Sequence, residues 1–245
     1  MTASAQHDAY AVSAEFYDIL QAQEDETEVQ RLYGHDVAKA RLGVLDVGAG
    51  TGRVTVMSLL RSGADVHSVE PARAMRAALM TRLASLPAEL RARVTVHPEK
   101  LDEAELRDVA DVAICHNTIA CLAPAARRAL WPALAQALVP DGSLLLQLPP
   151  AHLPAQETVR VFAKQWVGQH EYGGRMVMSV EAGRIRTRCD YWVRGSAGGL
   201  REHTETFWLW PASRIEMISE LAEHGFVLRP ARDDPAVVAM TLVRR

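Results

Sequence analysis

The sequence predicts an α/β fold, a largely parallel sheet with helices on both faces. Three observations carry this. Across residues 41–150, short apolar runs that end in turn residues alternate with helix-like stretches. Val44–Leu45–Asp46–Val47 passes straight into Gly48–Ala49–Gly50–Thr51–Gly52–Arg53, with glycine at every second position. A second strand, Val66–His67–Ser68–Val69, ends on an acidic residue, Glu70. With 245 residues, 49% hydrophobic and 23% charged, the chain can bury one large core and carry an insertion.

Taken in order, Met1–Thr2–Ala3–Ser4–Ala5–Gln6–His7 lacks the basic start and apolar centre of a signal peptide. Residues 8–22 read as a polar segment holding Tyr10, Phe16, Tyr17 and Asp18. The acidic run Glu24–Asp25–Glu26, with Glu28, suits the first turn of a helix, where carboxylates complement the dipole. Val29, Leu32, Tyr33 and Val37 continue it to about Ala40. In the glycine run the backbone can turn sharply and approach a ligand with no Cβ in the way. A helix opening near Arg53 points its free N–H groups into that turn, which favours an acceptor-rich ligand.

Val54, Met57 and Leu60, closed by Gly63, give that helix one apolar face. Glu70, after the second strand, is placed to accept two bonds from a ribose diol, and Pro71 opens the next helix. Val94–His97 is the third strand, followed by Pro98–Glu99–Lys100–Leu101. Asp111–Cys115 is the fourth, with His116, Asn117 and Thr118 on its C-terminal edge, where ligands of open α/β sheets gather. Pro124 starts a helix carrying Leu130, Trp131, Leu134 and Leu138, a Pro140–Asp141–Gly142 turn closes it, and Ser143–Leu148 is a buried fifth strand.

Residues 151–210 break the alternation. Met176–Val180, Arg184–Val193 and Leu200–Trp210, joined by Ala182–Gly183 and Gly195–Gly199 turns, read as a three-stranded antiparallel meander. Arg184, Arg186 and Arg188 make one face guanidinium-rich, with Glu202 and Glu205 on the neighbouring strand as cross-strand ion-pair partners. Four of the five tryptophans fall in this segment, with Phe162, Tyr172, Tyr191 and Phe207, which suits a wall of an acceptor pocket or a homodimer interface. A helix over 211–224 and strands at Phe226–Arg229 and Val237–Val243 complete the chain.

Several function classes are excluded on composition. A net charge of −3 gives no reason to expect nucleic acid, and no apolar run is long enough for a membrane span. Three cysteines, Cys115, Cys121 and Cys189, without metal-like pairing, suit a reduced, cytoplasmic protein. The G-x-G-x-x-G dinucleotide fingerprint also fails: counted from Gly48 it needs glycine where Arg53 stands, and from Gly50 where Thr55 stands.

The run Asp46-x-Gly48-x-Gly50-x-Gly52 instead resembles the first motif of the class I S-adenosylmethionine-dependent methyltransferases. The closing helix and strand pair resemble the antiparallel close of that fold, so the resemblance covers most of the chain. It implies S-adenosylmethionine as cofactor, S-adenosylhomocysteine as product and no metal, since apart from Asp111 few carboxylates lie near the fourth strand. The cofactor set it implies is Tyr10, Asp46, Gly48, Ala49, Gly50, Thr51, Gly52, Arg53, Glu70, Pro71, Met75, Glu99, Lys100, Leu101, Cys115 and His116.

Ala14–Glu15–Phe16–Tyr17–Asp18 and the inserted meander look like the small-molecule N-methyltransferases, especially those acting on amino sugars. That likeness implies an active-site role for Tyr17, and puts Cys121 where the group uses a histidine. His116 is the alternative for that role. The expected acceptor is an amine on a natural product or a modified peptide whose acidic leader could lie on the arginine face; a phenolic O-methyltransferase and a non-methylating cofactor-binding scaffold are the competing readings. The division implied is a helical cap over 1–40, a cofactor core over 41–150, an acceptor-side meander over 151–210 and a closing unit over 211–245.

Overall fold

The structure, a computed structural model, describes residues 10–196, 198–230, 232 and 234–244. The Met1–His7 reading, and Ala197 of the Gly195–Gly199 turn, lie outside the described residues.

Five parallel strands form the centre: β1 (Gly43–Val47), β2 (Asp65–Val69), β3 (Val94–His97), β4 (Ala110–Cys115) and β5 (Leu138–Gln147). β12 (Val237–Leu242) runs antiparallel to β5, and β11 (Phe226–Leu228) antiparallel to β12. The order is β11-β12-β5-β4-β1-β2-β3, so the winding reverses between β1 and β4. In such sheets a ligand crevice opens at that reversal, beyond the carboxyl ends of the strands.

Both sheet faces are apolar because alternate residues point to opposite sides. Leu45, Val47, Ala113, Leu144 and Leu146 pack with α5 (Pro124–Ala137) and α6 (Arg214–Ala222). Val44, Val112, Ile114 and Leu145 pack on the other face with α1 (Ser13–Val37), α2 (Arg53–Arg61) and α3 (Arg73–Ala84). A short α4 (Ala88–Arg91) follows α3. Ser213 caps α6 by accepting from Glu216 N at 3.1 Å.

Three readings of the core are corrected. The first helix begins at Ser13, so the acidic run lies in mid-helix and not in a first turn. Phe16 and Leu20 give the earlier half an apolar contact, and Arg53 and Arg82 pair with Asp18, Asp25 and Glu26, so the carboxylates need no helix N-terminus. The Pro140–Asp141–Gly142 turn is instead part of β5: Ala110 pairs with Leu138 and Val112 with Ser143, which leaves residues 139–142 as a bulge. Pro71 also precedes its helix, which starts at Arg73.

The insertion is a five-stranded sheet and not a three-stranded meander. β8 (His170–Glu181), β9 (Arg184–Gly195) and β10 (Leu200–Leu209) form the expected antiparallel run, and β6 (Thr158–Val161) and β7 (Gln165–Val167) both add to β8. Cys189, Tyr191, Val193 and Phe162 face Phe16 and Leu20 of α1 in a third core, where Phe16 and Tyr191 stack at 4.5 Å. The ion pairs of the arginine face also differ: Arg186 meets Glu181 and Arg188 meets Asp190, whereas Glu205 accepts from Ser13 N at 2.7 Å. Among the described residues, no helix is long and apolar enough to cross a membrane.

Candidate active site

The glycine turn connects β1 to α2 at the point where the sheet reverses. Gly48 N and Ala49 N both donate to Val69 O, at 2.9 and 3.0 Å, which ties the turn to the end of β2. Gly48 is left-handed, with φ of 72°, and a Cβ there would stand 2.2 Å from Thr118 Oγ1. That hydroxyl donates to Val47 O at 2.9 Å, so the turn is pressed against the segment after β4. Gly50 is also left-handed, with φ of 57°, yet no atom lies within 4 Å of its Cβ position, so its side of the turn is open.

The two carboxylates take different places. Glu70 is 6% exposed and accepts from Gly50 N and Ala72 N, each at 2.7 Å. Burial raises its pKa above the usual carboxylate range, against the pull of those two N–H groups. Asp46 is 1% exposed and accepts from Thr55 Oγ1 at 2.6 Å, and Thr55 Oγ1 lies 2.8 Å from Ser68 Oγ. Burial pushes the Asp46 carboxyl up to about 7. Asp46 therefore sits beneath the turn and fastens β1, α2 and β2 together, while Glu70 meets the turn's backbone.

α1 lies against the turn through Arg53, the first residue of α2. This guanidinium, 7% exposed, bonds Asp18 at 2.9 Å, Tyr17 O at 3.2 Å and Asp25, and lies 4.5 Å from the centre of the Tyr17 ring. Thr51 Oγ1 donates to the same Asp18 oxygen at 2.7 Å. The Tyr17 hydroxyl is 3.4 Å from Asp25, and burial, then that carboxylate, holds it well above the usual phenol range. Tyr10 Oη donates to Cys121 Sγ at 3.5 Å, and its ring lies 5.7 Å from Phe207 of β10. Burial raises both the Tyr10 and Cys121 pKa values.

His116, at the end of β4, is held between Tyr33 Oη, 3.1 Å from Nδ1, and Asn117 Nδ2, 3.2 Å from Nε2. Burial and then the Arg53 charge lower its pKa to about 4, so the ring is neutral near pH 7. Cys115 beside it is fully buried, its thiol pushed up by burial.

The strand ends thus gather Gly48–Arg53, Glu70, Cys115 and His116, with Tyr17 joined through Arg53. Glu99 is exposed beyond β3, and Lys100 pairs with Glu103 at 3.4 Å. Leu101 is buried in the same core as Cys115 and Ile119, Met75 is buried in α3, and Pro71 is half-buried. A cleft of about 330 Å³ between α1 and α2 takes only Arg53 from the turn. Sequence pattern assigns no site role to Asp18, Asp25, Tyr33 or Thr55. Asp18 carried a signal in the Tyr17–Asp18 pair, whereas Tyr33 is indistinguishable in sequence from any apolar-face helix residue. Among the described residues, no group of three or more His, Cys, Asp or Glu side chains could hold a metal ion.

Residues 45–144 match a family described as Methyltransferase domain. No curated protein matches the chain by sequence. Among solved structures, S-adenosylmethionine-bound CalS10, an amino pentose methyltransferase of calicheamicin biosynthesis from Micromonospora echinaspora, is 21% identical with a TM-score of 0.66, over 90% of this chain and 89% of that one. KedS8, a sugar N-methyltransferase from a Streptoalloteichus species, is 19% identical with a TM-score of 0.68, over 95% and 93%. The glycopeptide N-methyltransferase MtfA, complexed with S-adenosylhomocysteine, is 18% identical with a TM-score of 0.57, over 89% and 87%. Residues 45–144 are thus similar to a methyltransferase domain, and the chain has the fold of the class I S-adenosylmethionine-dependent methyltransferases.

Proposed function

We propose that the protein methylates an amine nitrogen of a natural product or a ribosomally made, modified peptide, with S-adenosylmethionine as donor. The observation that carries this is the pairing of Glu70 with Gly50: a buried carboxylate at the end of β2, next to a turn whose outer side is open. Each Glu70 oxygen accepts one N–H, and a carboxylate has about four lone-pair sites, so capacity remains for a ribose diol. The donor, when bound, supplies an electrophilic sulfonium methyl group. The sugar and glycopeptide N-methyltransferases among the solved structures of the same fold support nitrogen as the acceptor atom.

The chain's own residues bind, position and desolvate. Glu70 and the turn from Gly48 to Gly52 hold the adenosine end, and α1 with the second sheet encloses the acceptor side. Desolvation in the pocket lowers the pKa of an amine acceptor, so that its proton passes to water before the lone pair attacks. The neutral His116 ring lines the path as a hydrogen-bonding group. Tyr17 and Tyr10, kept protonated by burial, orient the acceptor by hydrogen bonds and shield it from water. Cys121, with a raised thiol pKa, is a neutral contact.

Calorimetric titration with S-adenosylhomocysteine, beside NAD and a Glu70→Ala variant, tests the donor. Saturable binding of S-adenosylhomocysteine alone, weakened in the variant, is expected. Preference for NAD would overturn the reading. Methyl transfer from labelled donor to amino sugars and peptide amines, but not to phenols, is expected to define the acceptor atom.

A further inference from the structure

We propose that Arg184 is an anion-binding contact for a carboxylate or phosphate carried by the acceptor, an inference that rests on the methyltransferase reading above. Three observations converge on it. The first is a difference among neighbouring arginines. Arg186 pairs with Glu181 at 3.7 Å, Arg188 with Asp190 at 3.2 Å, and Arg175 with Asp190 at 2.9 Å. Arg184 stands directly across from Glu181 in the β8–β9 register, yet that carboxylate goes to Arg186, and Arg184 has no carboxylate partner among the described residues.

The second observation is how its guanidinium is held. The Arg184 Cζ lies 3.7 Å from the Trp208 ring centre and 6.0 Å from that of Trp210. Nε is buried without a hydrogen-bond partner. A guanidinium whose plane is fixed by an indole has lost its side-chain freedom before any ligand arrives, and its remaining N–H groups form a fork that matches carboxylate or phosphate oxygens. Partial removal from water strengthens the attraction for an anion.

The third is location. Trp210 N donates to Ala120 O at 2.8 Å, inside the 3-10 turn Ile119–Cys121. The next residue, Cys121, touches Tyr10 of the candidate active site. The indole pair thus fixes Arg184 at the junction of the second sheet with the turn after β4. Alternation along β9 sets Arg184, with Arg186 and Arg188, on the face opposite Cys189 and Tyr191, which look toward α1. The acidic group it binds therefore belongs to a part of the acceptor that extends past the second sheet, and an acceptor without such an extension would leave Arg184 unused.

Intrinsic tryptophan emission reads the site directly, because the cation stacks on Trp208. The protein is titrated at constant ionic strength with inorganic phosphate in one arm and succinate in the other. A saturable change in at least one arm is expected, identifying which anion the fork prefers, and Arg184→Gln should weaken it about tenfold or more. Arg184→Lys, which keeps the charge but loses the fork, should weaken it as well, while Arg175→Gln leaves it unchanged. No saturable change in either arm, or a change that survives Arg184→Gln, overturns the assignment. S-adenosylhomocysteine binding is measured on the same variants and should be unaffected; its absence in the wild type would sink the methyltransferase reading and leave the anion result standing by itself.

Discussion

Tyr33 and His116 meet edge to face, at an interplanar angle of 82°, with the tyrosine hydroxyl 3.1 Å from Nδ1. The contact joins the helix layer to the end of β4, and one phenol orients the imidazole. Tyr33→Phe removes the bond and keeps the packing. With the true acceptor, the acid limb of the kcat profile is expected to shift while S-adenosylhomocysteine affinity stays constant. An unchanged profile would mean that the bond is structural only.

The His116 ring also links stability to pH. Its pKa falls from 6.5 to about 4 on folding, so its contribution is complete above about pH 6.5 and is lost as pH falls through 4. The interval corresponds to on the order of 3 kcal/mol. Urea unfolding of His116→Gln is expected to lose that part of the slope between those pH values.

Asp46 acts with the opposite sign. Its pKa rises from 3.8 to about 7 on folding, so its favourable term is present below pH 3.8 and is lost as pH rises through about 7. Asp46→Asn keeps an acceptor for Thr55 and carries no charge to bury. The variant is expected to unfold at higher urea than the wild type above pH 7, with the difference closing in acid.

Two glycines separate folding from binding. Gly48→Ala places a methyl against Thr118 and should lower Tm sharply. Gly50→Ala meets no atom and carries only the left-handed backbone cost, about 1–2 kcal/mol. Its larger effect is expected on S-adenosylhomocysteine affinity, measured by calorimetry.

Far from the turn, the fully buried Arg127 of α5 bonds Glu216 at 2.7 Å and Glu220 at 3.2 Å, and Trp131 Nε1 adds a 2.8 Å bond to Glu220. Arg127→Met is expected to destabilise by roughly 2 kcal/mol, less than a fully buried pair, because Glu216 is half-exposed. Cofactor affinity should not move.

The parallel core was legible because each strand is a short apolar run, stopped by glycine, proline or a carboxylate in every case but β4, which ends at His116–Asn117. Gly48, Gly50 and Glu70 were legible for the same reason: their chemistry is local. The partners of Asp18 and Asp25 were not, since the guanidiniums that neutralise them belong to α2 and α3, and helix length was misjudged as a result. β6 and β7 were missed because Thr158–Val161 and Gln165–Val167 are short and exposed, with no buried face to give alternation. The Tyr33–His116 bond spans 83 residues, a separation at which sequence pattern carries no signal.

Ala212 N donates to Pro150 O at 3.0 Å, so the excursion into the second sheet leaves and rejoins the core at one point. The chain between them behaves as a closed appendage whose loop ends are already pinned, and changing its length alters closure entropy only slowly. Exchange of this segment between homologues would leave the strand order and the glycine turn untouched. The fold thereby separates a segment whose length and sequence can drift from a core whose strand order must stay fixed, and makes the appendage the natural place to graft a new surface.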